Sequence, residues 1–164
     1  DINVDKIVRE FSNYFGTDLT FENPTTGETH WMQARIIKPK SDNFNTVHKD
    51  IYAWYDKYAS IPRMVNIWIP LCGVNNKSSL PIVPKSHKIP ENLIKRTKIG
   101  STMNGKKYSV ASIMEWDGST KMITPVPNSD ELIFFSSHLI HGLAVNSNED
   151  TTRVAFEFRL YEKI

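Results

Sequence analysis

The chain has 164 residues, of which 40% are hydrophobic and 11% aromatic, and its formal net charge is +2. That is the make-up of one globular domain long enough to bury a core, and so weak a charge excludes nothing about partners by itself. No apolar run approaches the roughly 18 residues of a membrane span, and the single cysteine, Cys72, excludes an internal disulfide framework and a cysteine-cluster zinc site. The chain opens on Asp1 instead of methionine, as a trimmed or partial chain would, and a cytoplasmic location is expected.

Ile7, Val8, Phe11, Tyr14 and Phe15 recur at helical spacing and Gly16 follows as a stop, so the pattern predicts a helix over residues 5–15. From there on the apolar segments are short and alternating. Residues 31–37, 63–71, 80–83, 108–114, 132–135 and 153–161 read as strands, separated by clusters of Pro, Gly, Asn and Ser. Residues 51–59, rich in Tyr52, Trp54, Tyr55 and Tyr58, are expected to form a short amphipathic helix. Many short strands with turn signals predict a mainly β fold, a double-stranded β-helix (a jelly-roll, cupin-like barrel) with a few flanking helices. The expected organisation is a single domain over 1–164, with 1–30 as helical support and 31–161 as the barrel.

Strand alternation sorts the side chains by face. In 63–71, Val65, Ile67, Ile69 and Leu71 share one face, and Asn66 and Trp68 share the other. In 153–161, Val154, Phe156, Phe158 and Leu160 form an apolar face, with Arg153, Ala155, Glu157 and Arg159 opposite. If the apolar faces pack against helices or a second layer, the polar set points into the barrel. Buried arginines are rare unless paired, so Arg153 is a candidate for a two-pronged grip on a carboxylate; the plainer alternative is an ion pair with Glu157. Gln33 and Arg35 share a face with Trp31 and are candidate ligand contacts, against a structural role. Cys72 is expected to be a buried small hydrophobe.

Between residues 85 and 107 stand Lys85, Lys88, Lys95, Arg96, Lys98, Lys106 and Lys107 against one acid, Glu91. The plain reading of this insertion is a solvated loop with a short helix at 91–95. The sharper one is an electrostatic guide for an anionic small molecule. Nucleic acid is disfavoured, because aromatics other than Tyr108 are not interleaved with the charges.

His48 and Asp50 are separated by one residue, and on an extended segment they project from the same face. Alone, such a pair is as readily a solvent-facing feature of a strand end. A third ligand from a distant strand would complete two histidines and a carboxylate on one face of an octahedral ion, the open-faced set of non-heme Fe(II) oxygenases. Two histidines follow the strand at 132–135, His138 and His141, and either has the chemistry to be that ligand.

His48-Lys49-Asp50, the stretch Leu80-Pro81-Ile82-Val83-Pro84-Lys85-Ser86-His87-Lys88, the strand at 132–135 leading to His141-Gly142, and Arg153 twelve residues beyond His141 stand in this order. In that combination the chain resembles the phytanoyl-CoA dioxygenase-like branch of the Fe(II)/2-oxoglutarate oxygenase superfamily. The likeness spans residues 31–161, with two departures: Lys85 stands where the family usually has glycine, and Asp130-Glu131 replaces Gly-Asp. Few residues precede His48, so a reduced helical support or substrate cover is expected.

The resemblance implies that His48, Asp50 and His141 hold Fe(II) and that Arg153 pairs with the far carboxylate of 2-oxoglutarate. Gln33 and Asn66 are then further cosubstrate contacts, and Trp68, Arg35, Arg159 and Tyr52 candidate substrate contacts. It also implies that dioxygen is consumed as 2-oxoglutarate becomes succinate and carbon dioxide, and that the substrate is hydroxylated. Related halogenases carry Gly or Ala at the carboxylate position, so Asp50 speaks for hydroxylation. The expected substrate is a small polar or anionic molecule, with a carbohydrate or its activated derivative fitting the basic and aromatic residues. Two readings from other classes remain: a cupin-like metal-dependent isomerase or hydrolase, and a catalytically silent jelly-roll binding module.

Overall fold

In the computed structural model, which describes residues 3–29, 31–41, 45–53, 60–103, 105–117 and 120–163, helix α1 (Val4–Phe15) comes first. The Asn3 side chain accepts from the Lys6 amide at 2.9 Å and caps its start. Gly16, at φ 66, closes its end by donating its amide to Ser12 O, a left-handed turn that a residue with a Cβ enters at a cost. Val4, Ile7, Val8 and Phe11 form the stripe that packs on the sheet. Tyr14 and Phe15, which the spacing assigns to the same stripe, stand at the surface and stack edge-on against Phe134.

Strands β1 (Leu19–Thr20), β2 (Gln33–Ile37), β3 (Met64–Cys72), β4 (Lys95–Arg96), β5 (Ser101–Met103), β6 (Lys106–Tyr108), β7 (Ile113–Glu115), β8 (Ile133–Ser136) and β9 (Arg153–Glu162) follow. The main sheet runs β1-β9-β3-β8, with β2 also paired to β9, and every pairing is antiparallel. β9 is its axis: Gln33↔Glu157 through Ile37↔Arg153 on one edge, and Met64↔Tyr161 through Cys72↔Val154 on the other. The second layer is a ladder of single bridges, with Ile123 opposite Ile82, Ile82 opposite His141, and His141 opposite His48. The segment predicted as a strand at 80–83 is part of this ladder. The fold is a mainly β jelly roll with little helix.

Alternation sorts the faces of β3 and β9 as expected. Ile67, Phe158 and Leu160 join Leu19 and Phe21 in an apolar cluster under α1. Asn66, Trp68, Arg153 and Ala155 are buried on the opposite, inner side. A second apolar cluster contains Ile51, Tyr52, Val83, Ile94, Ala111, Ile113 and Ile140.

Four local expectations are corrected. Cys72 is exposed, because the β3–β9 register shifts between Pro70 and Cys72 and carries the strand end off the core. The strand predicted at 108–114 is two, β6 and β7, broken at Ser109–Ser112. Of the helix expected at 51–59, the described part is a 3-10 turn, Asp50–Ala53, and Trp54, Tyr55 and Tyr58 lie outside the described residues. The basic insertion is built from 3-10 turns Ser86–Lys88 and Glu91–Leu93, strand β4 and the β5–β6 hairpin, not from an open loop. Lys85 opens the first turn at φ 63, a left-handed conformation that explains why glycine suits this position.

Leu160 is fully buried between sheet and helix, whereas Ile99 in the insertion is 96% exposed. Leu160→Ala is expected to cost about 2–5 kcal/mol in urea unfolding and Ile99→Ala less than about 0.5 kcal/mol.

Candidate metal centre and cosubstrate cavity

The two histidines are fixed by backbone before their side chains are considered. His48 N donates to His141 O at 2.8 Å, and His141 N donates to His48 O at 3.0 Å. This antiparallel bridge sets the rings with centroids 4.4 Å apart. Each ring then hydrogen-bonds through Nδ1 to the carbonyl two residues back, His48 to Thr46 O at 2.6 Å and His141 to Leu139 O at 2.9 Å. A carbonyl accepts only, so Nδ1 carries a proton in both rings, and in the neutral tautomer this selects, the lone pair is on Nε2. Both Nε2 atoms face Asp50, at 3.7 Å from Oδ1 and 3.6 Å from Oδ2. This is how proteins prepare imidazole for a metal.

Gly142 makes the close approach possible. At φ 132, a Cβ built on it would sit 2.3 Å from Thr46 O, the acceptor of the His48 ring.

Asp50 heads the 3-10 turn and is held from two sides. Asn66 Nδ2 donates to Oδ2 at 2.7 Å and Arg159 Nη2 to Oδ1 at 2.9 Å, while Arg159 Nε donates to Asn66 Oδ1 at 3.2 Å. Burial works to raise the Asp50 carboxyl, but Arg159, His141 and His48 together outweigh it and hold the group well below the usual carboxylate range. Burial, reinforced by His48, pushes His141 down to about 4. At neutral pH the site therefore presents a carboxylate and a neutral His141 imidazole.

The ligating atoms of His48, Asp50 and His141 lie within 4.8 Å of one another, and all three residues are buried. No further His, Cys, Asp or Glu joins this group among the described residues. Two imidazole nitrogens and one carboxylate oxygen beside a cavity fit a first-row metal with open positions. The cavity wall includes Trp31, Gln33, Arg35, Trp68, Phe135 and Arg153.

Arg153 is 2% exposed. Its Nη2 donates to Ala144 O at 3.0 Å, its guanidinium lies 5.9 Å from the Trp68 ring, and its buried Nε makes no hydrogen bond among the described residues. Glu157, the partner that the strand pattern offered it, is ion-paired with Arg35 instead. Buried Arg153 and half-buried Arg159 thus differ. Asp50 raises Arg159 further, whereas burial lowers Arg153. Arg159 has its carboxylate, and Arg153 has none among the described residues.

The other expected site residues fall as follows. Gln33 and Arg35 lie on the cavity wall, and Trp68 is 2% exposed beneath Arg153. Asn66 and Arg159 border the cavity too, but their polar atoms are engaged with Asp50 and with each other. Tyr52 is corrected: it does not border the cavity, and its hydroxyl donates to Glu91 from within the second apolar cluster. The cause is the 3-10 turn, which ends the period-two alternation that would keep residue 52 on the face of 48 and 50. His138 is exposed and apart from the other two ligand candidates. The carboxylate clamp escaped the sequence because Asn66 and Arg159 become neighbours only through the β3–β9 register.

The family model of phytanoyl-CoA dioxygenase (PhyH) matches residues 4–155. The chain belongs to the phytanoyl-CoA dioxygenase family. No curated protein matches it in sequence. Among solved structures, AviO1 from Streptomyces viridochromogenes Tue57 is similar at TM-score 0.62 and 12% identity, over 98% of this chain and 58% of that one. EvdO2 from Micromonospora carbonacea var. aurantiaca is similar at TM-score 0.62 and 16% identity, over 99% and 66%. The epimerase SnoN in complex with Fe3+, alpha ketoglutarate and nogalamycin RO is similar at TM-score 0.61 and 14% identity, over 97% and 56%. At such identities the likeness is one of fold. This phytanoyl-CoA dioxygenase family member spans about half to two thirds of the length of those chains.

Two outcomes follow from the geometry. Gly142→Ala forces Thr46 O and the His48 ring apart, so titration is expected to show weaker Co(II) binding and urea unfolding a loss above about 1 kcal/mol. His141 takes up its proton near 6.5 when unfolded but only near 4 when folded, so the unfolded state binds more protons between these values. The metal-free protein should lose stability as pH falls through that window, and His141→Gln should flatten the loss.

Proposed function

We propose that this member of the Fe(II)/2-oxoglutarate oxygenase family is a dioxygenase that hydroxylates a small polar or anionic molecule. Arg153 is the observation that carries the reading. A buried guanidinium with no carboxylate partner among the described residues, facing the cavity that also holds a two-histidine-one-carboxylate set, suits a dicarboxylate cosubstrate better than any structural role.

His48, Asp50 and His141 would hold the iron, whose bound form supplies the oxidising chemistry of dioxygen and 2-oxoglutarate. The rest belongs to the chain. Arg153 fixes the far carboxylate by a fork of donors, and Gln33 offers an amide to the same ligand. Asn66 and Arg159 hold Asp50 ionised and oriented, so that it enters as a ligand with its charge already compensated. Trp68, Phe135 and Leu80 keep the inner cavity apolar and limit water.

Substrate would enter past Trp31, 60% exposed at the cavity edge, and Arg35, half-exposed on the wall. An indole face and a guanidinium suit a polar ring bearing negative charge, such as a carbohydrate derivative. The basic insertion adds an attractive field for an anion. SnoN, an epimerase of the same fold, marks the alternative that oxidation here ends in something other than hydroxylation. A carboxylate at position 50, occupying the place a halide would need, supports oxygen insertion.

Anaerobic titration of Fe(II) and 2-oxoglutarate is expected to produce the weak visible charge-transfer band of the chelate. An interaction of about 1.5–3 kcal/mol, more if the carboxylate is left buried alone, means that Arg153→Ala raises the 2-oxoglutarate Kd by about tenfold to a few hundredfold. Arg153→Lys should restore only part, since ammonium cannot form the fork. Unchanged 2-oxoglutarate affinity in Arg153→Ala overturns the assignment. Turnover with a redox-inert metal and without 2-oxoglutarate would favour an isomerase or hydrolase instead.

A further inference from the structure

Lys49 lies between the two proposed ligands His48 and Asp50, and its side chain is 1% exposed. Burying an ammonium costs several kcal/mol unless it is paired, and an apolar residue would fill the same space without that cost. Lys49 is paired. Its Nζ donates to Glu91 Oε1 at 2.7 Å, and Tyr52 Oη, two residues past Asp50, donates to Glu91 Oε2 at 3.1 Å. Both oxygens of one carboxylate therefore bind the chain on either side of Asp50.

Glu91 is the sole acid between residues 85 and 107, and it opens the turn Glu91–Leu93 inside the basic insertion. Arg96 of β4 stands over the Tyr52 ring, 4.6 Å from its centroid. Ile94 packs in the same apolar cluster as Ile51 and Tyr52. The insertion thus grips the ligand-bearing segment from behind, on the side away from the cavity. On the cavity side the segment is held by the His48–His141 bridge and the Asn66–Arg159 clamp.

We propose that Glu91 is a positioning residue: through Lys49 and Tyr52 it fixes the His48–Asp50 segment in its metal-ready conformation and ties the position of the basic insertion to that of the metal. The proposal rests on the reading of His48, Asp50 and His141 as metal ligands. A substrate anion that moves the insertion then moves the ligand pair with it. No covalent or redox step is involved.

The test is metal affinity measured beside fold stability, with Fe(II) under anaerobic conditions and with Co(II), on the whole chain. Lys49→Met removes the buried ammonium and leaves Glu91, whose side chain is 26% exposed and still accepts from Tyr52, so the remaining charge keeps water and a partner. It should lower the thermal midpoint less than Glu91→Gln does, yet weaken Fe(II) and Co(II) binding about tenfold or more. Glu91→Gln should weaken binding similarly while lowering stability, because it strands the Lys49 charge. Glu91→Asp should recover part of the affinity, and the double variant Lys49→Met/Glu91→Gln should bind no more weakly than Lys49→Met alone. If Glu91→Gln does not fold, Lys49→Met decides. Metal affinities within twofold of the parent in Lys49→Met overturn the proposal, provided that His141→Ala abolishes binding. If the parent itself fails to bind either metal, or His141→Ala binds as well as the parent, the metal reading falls and this inference falls with it.

Discussion

Strand β9 is hydrogen-bonded along both edges, to β1 and β2 on one side and to β3 on the other. That double pairing is the constraint from which the rest of the molecule follows. Its side chains alternate, so Phe158 and Leu160 go into the cluster beneath α1, while Arg153, Glu157 and Arg159 border the cavity. A slip of one residue would send the arginines into the apolar cluster and the phenylalanine into the cavity. Because the two neighbours carry their own apolar faces to the same side, such a slip loses burial on three strands at once. The site's electrostatics are therefore guaranteed by hydrophobic packing on the opposite face of the sheet.

The charges in and around the site divide by whether the protein completes them. Asp50 is met by Arg159 and Asn66, and Lys49 by Glu91 and, through it, Tyr52. Arg35 and Glu157 satisfy each other at the cavity wall. Arg153 alone of the cavity arginines has no carboxylate among the described residues, and its Nε has no acceptor among them. Leaving a buried cation incomplete destabilises the empty fold, and a dicarboxylate ligand would recover that energy on binding. The same accounting explains why Arg159, which also borders the cavity, is a poor candidate for that ligand.

The histidines show how little side-chain freedom the centre retains. Main-chain bonds pair residues 48 and 141, and local carbonyls set both tautomers. Three donors are thus aimed at one region by backbone geometry, and a metal would find most of the ordering already done. Gly142 belongs to this arrangement as the residue whose missing Cβ lets the Thr46 carbonyl come close.

Much of this was legible in the sequence. The helix stripe from Ile7 to Phe11, the capping Gly16, the alternation in 63–71 and 153–161, and the inward placement of Arg153 all follow from periodicities of one chain segment, which local stereochemistry enforces. The resemblance carried by His48, Asp50, His141 and Arg153 named the family. What only the tertiary structure decided was partnership. Arg35, not Arg153, takes Glu157; Arg159 and Asn66 take Asp50; Tyr52 turns to Glu91; and Cys72 comes to the surface at a register shift. Alternation states which face a residue occupies, but register, bulges and a single 3-10 turn choose which distant residue it meets, and those depend on packing across the whole sheet.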